Sequence, residues 1–274
     1  MKCLYFSFIM LSIFTISYIH SNPLPRVSII TSVFKDYQFR KRFLENITKQ
    51  TIFNECELFL IDVTPADNPE SLNNLDRLIV EYMKKYSNIK YIKLSFDPGV
   101  YGIWNLGVLL AQAPYLTNAN LDDLRYADCL EKQATYLDNH EDIALVYADF
   151  KYSDDPKNDI DHSNIVAHVN HAPIINFKRS LHMCIPGPQP MWRKSIHTKV
   201  GLFNQDFLYS GDWEFWNRMV KAGLLFGQME GYSGVYYYNP DGLSTNQNPK
   251  KVERRNKENQ YIINQYSSMW NGQE

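Results

Sequence analysis

Arg26-Val27-Ser28-Ile29-Ile30-Thr31-Ser32-Val33-Phe34 is an apolar, β-branched run of strand length, of the kind found where a parallel sheet is covered on both faces. The residues around it decide the fold. Phe39, Phe43, Leu44 and Ile47 recur at helical spacing, and Glu57-Leu58-Phe59-Leu60-Ile61-Asp62 is a second short apolar run that ends on an acid. Strand, helix and strand therefore follow one another. Leu72, Leu75, Ile79 and Tyr82 share a helical face, residues 89–94 read as a strand, residues 103–111 as an apolar helix and residues 115–119 as a further strand. Such alternation predicts an α/β fold with a single Rossmann-like, mostly parallel sheet and helices on both faces. Ligands of open sheets sit beyond the carboxyl ends of the strands. Asp62, Asp97 and the pair Asp122-Asp123 fall at such ends.

Farther along, a helix is expected over 126–139, a strand over 143–150 and an irregular polar stretch over 153–176. A helix over 213–222 stopped by Gly223, a strand over 234–238 and a polar C-terminal helix complete the pattern. With 274 residues, 45% apolar and 21% charged, the chain has the composition of a folded, mainly soluble body with room for one large domain. A net charge of −2 offers no electrostatic footprint for nucleic acid. The basic cluster Lys250, Lys251, Arg254, Arg255 and Lys257 reads as the solvated face of a terminal helix. Cys56, Cys129 and Cys184 are widely spaced and imply no disulfide framework, and His162, His168 and His171 lack the spacing of a zinc site.

The first 22 residues stand apart. Leu4 to Ile19 is apolar except for Ser and Thr, follows Lys2, and ends at the polar break His20-Ser21-Asn22-Pro23. Sixteen residues fall short of the roughly 20 a membrane helix needs, so a signal peptide is preferred to an N-terminal membrane anchor. Either reading places the chain in the secretory pathway or at a membrane, on a side the leader does not fix. The expected organisation is a leader at 1–22, a catalytic domain at 26–245 and a helical tail at 246–274.

The motifs together resemble those of family 2 glycosyltransferases with the A-type fold. In that family a "VSIIxPxYN" strand precedes "QTxxxxEIIVVDDGS"; here Val27 to Phe34 precede Gln50-Thr51-Ile52 and Glu57 to Asp62, with Val63 for the second acid and Thr64-Pro65 for the Gly-Ser turn. Asp97-Pro98-Gly99-Val100-Tyr101-Gly102-Ile103-Trp104-Asn105-Leu106-Gly107 is similar to "DxGIYDAMNxG", with Gly102 where Asp is usual. Asn120-Leu121-Asp122-Asp123 stands in the place of the metal-binding "DADD" or "NADD" tetrad. Ser210-Gly211-Asp212-Trp213-Glu214 looks like the acidic catalytic motif, and Asn239-Pro240-Asp241-Gly242-Leu243-Ser244-Thr245 like a C-terminal turn that often reads His-Pro-Gly-Ser-x-Ser. The motifs keep the family's order from about residue 26 to 245.

The resemblance implies transfer of a sugar from a nucleotide-sugar donor, expected to be a UDP-sugar, to the hydroxyl of a carbohydrate or other acceptor, with inversion. The departing diphosphate gathers charge, which Mn²⁺ or Mg²⁺ on hard oxygen ligands would neutralise. Asp122, with Asp123 beside it, is the implied metal site; the alternative is that both merely open the following helix. Thr31, Val33, Asp62, Asn105 and Asn120 are the implied donor-binding residues, with Asp62 against the base or, alternatively, a turn acid. Asp212 is the candidate general base, with Glu214 as fallback, because an acceptor hydroxyl must lose its proton as the new bond forms. The alternative is that Asp212 is only the N-cap of its helix. Trp192 is the expected acceptor-side platform. The substitutions at Val63, Gly102, Asn120 and Asn239 keep open a second reading, a silent glycan-binding or partner-binding module. A nucleotidyltransferase is disfavoured, since Ser32-Val33-Phe34-Lys35 is not a Gly- and Lys-rich phosphate turn.

Overall fold

The structure is a computed structural model that describes residues 23–65, 69–157, 159–170 and 180–267. The expected leader and His171 lie outside the described residues. Among those residues the strands β1 (Val27–Val33), β2 (Cys56–Asp62), β3 (Ile89–Lys93), β4 (Tyr115–Asn118), β5 (Leu124–Arg125), β6 (Ile143–Ser153), β7 (Ile165–Val169), β8 (Met191–Arg193) and β9 (Leu225–Tyr237) form one sheet. Its order is β3-β2-β1-β4-β8-β6-β9-β5, with β7 on the side of β6. β1, β2, β3 and β4 are mutually parallel and β6 is parallel to β9, while β8, β5 and β7 pair antiparallel to their neighbours.

β1 reads as it does because it lies inside the sheet and has a core on each face. Its alternate residues Val27, Ile29 and Val33 enter one core, and Ile30 enters the other, the period of two that a pleated strand imposes. Helices α1 (Tyr37–Ile47) and α4 (Cys129–Asn139) supply the first core with Phe39, Phe43 and Leu130. Helices α3 (Gly99–Leu110), α6 (Gly211–Lys221) and α7 (Pro249–Ser267) supply the second, while α2 (Pro69–Lys85) covers β3 and the short α5 (His197–Val200) precedes α6. No helix among the described residues is long and apolar enough to cross a membrane.

Three expectations change. The strand expected over 234–238 is the end of a 13-residue strand, β9, whose first half is hidden in the sequence by Gly227, Gly231 and polar residues. Gly234 has a physical reason to be there: a Cβ at this position would meet the Leu124 carbonyl oxygen at 2.0 Å, where β5 crosses β9. The tail expected after residue 245 is packed into the domain. Ile262 and Tyr266 of α7 are buried in the second core, and the boundary drawn at 245 has no counterpart in the packing. A further strand, β7, lies inside the stretch expected to be irregular, with a mixed, mostly exposed pattern that carries little periodicity.

Candidate functional site

A cavity of about 280 Å³ opens beyond the carboxyl ends of β4 and β6. Asn118, Asn120, Asp212, Cys184, Tyr101 and Trp104 are among the residues that line it. Asp212 is the second residue of α6; Ser210 takes the N-cap position, and its hydroxyl is turned to Asn259 Oδ1 at 2.6 Å. The cap reading of Asp212 is thereby corrected. Its Oδ1 accepts hydrogen bonds from the Tyr101 hydroxyl at 3.0 Å and the Trp213 backbone N–H at 2.9 Å. The Cys184 thiol stands 3.8 Å from Oδ2. Burial pushes the Asp212 carboxyl above the usual carboxylate range, and those hydrogen bonds only partly oppose it. Tyr101 reaches this position because residue 211 has no side chain: a Cβ on Gly211 would lie 2.6 Å from the Tyr101 ring. Glu214, the fallback base, is buried among other partners, with Arg218 at 2.7 Å and the Tyr266 hydroxyl at 2.7 Å, and it does not line the cavity.

The acidic tetrad follows β4. Asp122 is partly exposed; its Oδ2 accepts a hydrogen bond from Asn239 Nδ2 at 3.0 Å and Arg42 holds its backbone carbonyl at 2.6 Å. Asp123 differs from its neighbour. It is buried, and its two carboxylate oxygens accept the Tyr237 N–H and the Asn120 amide. Burial and the adjacent Asp122 charge push its carboxyl well above the usual range. Asp123 is thus a structural tie between the tetrad and β9, which corrects the expectation of a second metal ligand. Among the described residues no three His, Cys, Asp or Glu side chains converge as a closed metal cage. One accessible carboxylate with a side-chain amide beside it does fit a divalent ion that takes its other ligands from phosphate oxygens and water.

The expected donor-binding set is only partly brought together. Asn120 lines the cavity, but Thr31 and Val33 are fully buried within the sheet and do not, because β1 is covered on both faces. Asp62 is 0% exposed and held by several donors. It accepts the Thr64 N–H at 2.7 Å, the Tyr91 hydroxyl at 2.8 Å and Lys93 Nζ at 3.2 Å, with Arg40 at 3.8 Å. Burial alone would raise its pKa, but the hydrogen bonds from Thr64 and Tyr91 and the Arg40 charge outweigh it and hold the carboxyl below its usual range. With no exposed surface, Asp62 presents no oxygen to a base N–H, and its contacts tie β2, β3 and α1 together. Asn105 is likewise inward, clasping the Phe203 backbone N–H and C=O, both at 2.9 Å. Trp192 is 0% exposed, edge-on to Trp216 and Phe203, and offers no face to a sugar. Strand β8 places it in the second core between β4 and β6, which a sequence with several tryptophans does not reveal.

Several cavity residues escape a reading of the sequence. Tyr101 has a signal, the Tyr of its Gly99-Val100-Tyr101 segment, but only the fold brings it to Asp212 across 111 positions. Asn118 faces the cavity with its Oδ1 buried and without a partner among the described residues; it precedes the tetrad by two residues and had no distinguishing neighbour. Phe150, Tyr152 and Tyr236 form a wall of edge-on rings 5.3 to 6.2 Å apart, assembled from β6 and β9.

Comparison with known proteins agrees with this geometry. The family model described as glycosyl transferase family 2 matches residues 28–201. A glycosyltransferase of Methanocaldococcus jannaschii, itself described as uncharacterized, is 24% identical over 207 residues, covering 75% of this chain and 68% of the relative. A PGL/p-HBAD biosynthesis glycosyltransferase of Mycobacterium bovis is 26% identical over 200 residues, 70% of this chain and 68% of the relative. Among solved structures, S. aureus TarS (residues 1–349) superposes with a TM-score of 0.60 at 16% identity over 78% of this chain, and this chain spans 61% of that one. The Pyrobaculum calidifontis mannosyltransferase PcManGT, solved with GDP-Man and Mn²⁺, gives a TM-score of 0.57 at 13% identity, over 80% of this chain and 59% of that one. These two likenesses establish a shared fold.

Proposed function

The chain belongs to glycosyl transferase family 2 and is a glycosyltransferase, and from that premise we propose that it moves a sugar from a nucleotide-sugar donor to an acceptor hydroxyl by a single inverting displacement. The observation that carries the reading is the placement of Asp212. Its carboxylate lines the same cavity as Asn118 and Asn120 at the end of β4, with Oδ1 held by Tyr101 and Trp213 and Oδ2 turned to a thiol that an acceptor hydroxyl would displace. In the step proposed, the acceptor oxygen attacks the anomeric carbon, its proton passes to Asp212, and the bond from that carbon to the diphosphate oxygen breaks with its electron pair leaving on the nucleoside diphosphate. The raised pKa of Asp212 suits a proton acceptor, since basicity rises with pKa as long as the group stays ionised at the working pH.

Asp122, steadied by Asn239, would hold a Mn²⁺ or Mg²⁺ ion that neutralises charge on the leaving diphosphate. Asn118 Oδ1 and Asn120, which line the cavity beyond β4, would meet the donor. S. aureus TarS has been solved with UDP-GlcNAc, which supports a UDP-sugar as the first donor to try, and PcManGT with GDP-Man makes GDP-sugars the next.

Turnover of a donor panel with Mn²⁺ and with EDTA tests the reading, together with Asp122→Ala. Metal-dependent turnover of at least one donor is expected, along with loss of the metal-dependent part of UDP affinity in Asp122→Ala at an unchanged ligand-free Tm. Equal UDP affinity in Mn²⁺ and EDTA would remove the metal site. Failure to turn over any donor under either condition would mean a silent binding module.

A further inference from the structure

We propose that His197 is an acid-sensitive latch on the segment that leads from α5 towards α6: only the neutral ring, protonated at Nδ1, holds that segment closed, and a second proton opens it. The latch is separate from the glycosyl transfer proposed above and does not rest on it. Two contacts carry it. Trp192 Nε1 donates to His197 Nε2 at 3.0 Å, and His197 Nδ1 lies 2.8 Å from the Gly201 carbonyl oxygen. An indole N–H can only donate and a carbonyl oxygen can only accept, so Nε2 must keep its lone pair and Nδ1 must carry the single proton.

The latch closes a tight turn. The Gly201 N–H returns a bond to the His197 carbonyl oxygen at 3.0 Å, and Gly201, at φ +77°, leads the chain out of α5 into Leu202 and Phe203. Side chains from three places hold this turn. Arg218 of α6 donates to the carbonyl oxygens of Val200 and Leu202 at 2.5 and 2.8 Å, Asn105 of α3 clasps Phe203, and His197 joins Gly201 to Trp192 of β8. The His197 ring also stacks on Phe215, with centroids 5.1 Å apart and planes at 25°. Phe215 belongs to α6, the helix that carries Asp212. Of the three holding side chains, histidine is the type whose unperturbed titration falls near neutrality.

A proton on Nε2 would face the Trp192 N–H donor to donor. Trp192 is fully buried, so its N–H would be left without an acceptor while the ring swings away from it. The surroundings favour the neutral ring. Burial pushes its pKa below the ordinary histidine range, the bond to Gly201 opposes this, and the charges of Arg218 and Lys194 add to it. Arg218 reaches from α6 and Lys194 from the turn at 194–196; Lys199, on α5 itself, is exposed. Glu214 of α6 is taken up by Arg218 at 2.7 Å, and Arg26, which lines the same groove as His197, by Asp138 at 2.6 Å. Because the folded-state pKa lies below the unfolded value of about 6.5, the unfolded chain binds the proton more tightly. The latch's contribution to stability is therefore fully present above about pH 6.5 and is lost as pH falls through the folded pKa. Asp212, with its raised pKa, contributes in the opposite direction, so His197 is isolated by comparing variants.

The test reads the ring and the fold, with no need of turnover. Long-range ¹H–¹⁵N NMR of the full chain, with the His197 signals identified by their absence from His197→Gln, is expected to show a neutral Nδ1–H ring at about pH 7.5 that titrates below about pH 6.5. The change in Tm from about pH 7.5 to about pH 5.5 is expected to be more negative in the parent than in His197→Gln by at least about 3 °C, since Gln does not titrate and its oxygen can take the Trp192 N–H. Hydrogen exchange over residues 198–203, corrected for its intrinsic pH dependence, is expected to accelerate across the same interval in the parent alone. An Nε2–H tautomer, a ring that titrates at or above about pH 6.5, or equal acid losses of Tm in the two proteins overturns the proposal. If His197→Gln does not fold, the tautomer and titration of the parent ring, assigned by eliminating the other histidines one at a time, decide it.

Discussion

At the scale of single residues, Asp212 meets two opposed demands. Burial makes its charge costly, while the proposed transfer of the acceptor proton needs that charge. Because its folded-state pKa is raised above the unfolded value, its contribution to stability is fully present below the unfolded pKa and is lost as pH rises through the folded pKa. Once ionised, the group therefore works against folding. Asp212→Asn removes the charge and keeps an oxygen for Tyr101 and Trp213, so Tm at pH 7 is expected to hold or rise while kcat falls by about 10² to 10⁴. Full stability with more than a tenth of the parent kcat would leave Asp212 without a catalytic part. Tyr101→Phe withdraws one donor from the anion alone, and the acidic limb of the kcat profile is then expected to move to higher pH, by about one unit for a bond worth about 1.4 kcal/mol. UDP affinity should not follow it, and an unmoved limb would deny the hydrogen bond any influence on the base.

Among the elements, α7 has the least expected task. Glu258 is buried on it and accepts the backbone N–H groups of Leu208, Tyr209 and Ser210 at 2.9, 2.9 and 3.0 Å. The segment so gripped leads directly into Gly211 and Asp212, and Tyr209 lines the cavity. A helix that lies beyond the residues matched by the family model thereby fixes the start of α6. Glu258→Ala leaves three backbone donors and Arg254 without their acceptor. A loss of roughly 3 kcal/mol is expected, or about 6 to 12 °C in Tm for a chain of this size. Glu258→Gln, which keeps one acceptor oxygen, should recover part of it. A Tm within 2 °C of the parent for Glu258→Ala would show the clasp to be dispensable.

For the whole molecule, the first buried strand begins at Val27, and Leu24 just ahead of it is largely exposed. A chain beginning at Pro23 is therefore expected to fold with a single cooperative thermal transition, read by calorimetry, and to gain Tm with UDP and Mn²⁺ by mass action. Aggregation of that chain, where the full-length protein stays soluble in detergent, would make the leader part of the fold. Asn118 and Asn120, which line the cavity, and the tetrad ending at Asp122-Asp123 all lie at or just beyond the carboxyl end of β4, so the groups proposed for donor and metal gather at one strand end.

The alternation of short apolar runs with helical stripes was enough to specify the α/β class, because a strand covered on both faces has to be apolar at every position and a helix packed on it has to be apolar at every third or fourth. The order of the motifs likewise singled out Asp212, at the start of α6, and Asp122, in the turn between β4 and β5, as candidates. Accessibility was beyond its reach. Asp62, Asp123 and Asn105 match motif positions as closely as Asp212 does, yet they are buried and bonded to other parts of the chain, and Trp192 has the right chemistry for a platform in the wrong layer. Local sequence sets which groups a residue carries and how the nearby chain turns. Whether a carboxylate meets solvent, a ligand or three buried N–H groups depends on partners 29 to 117 positions away, and only the packed sheet and helices bring those together.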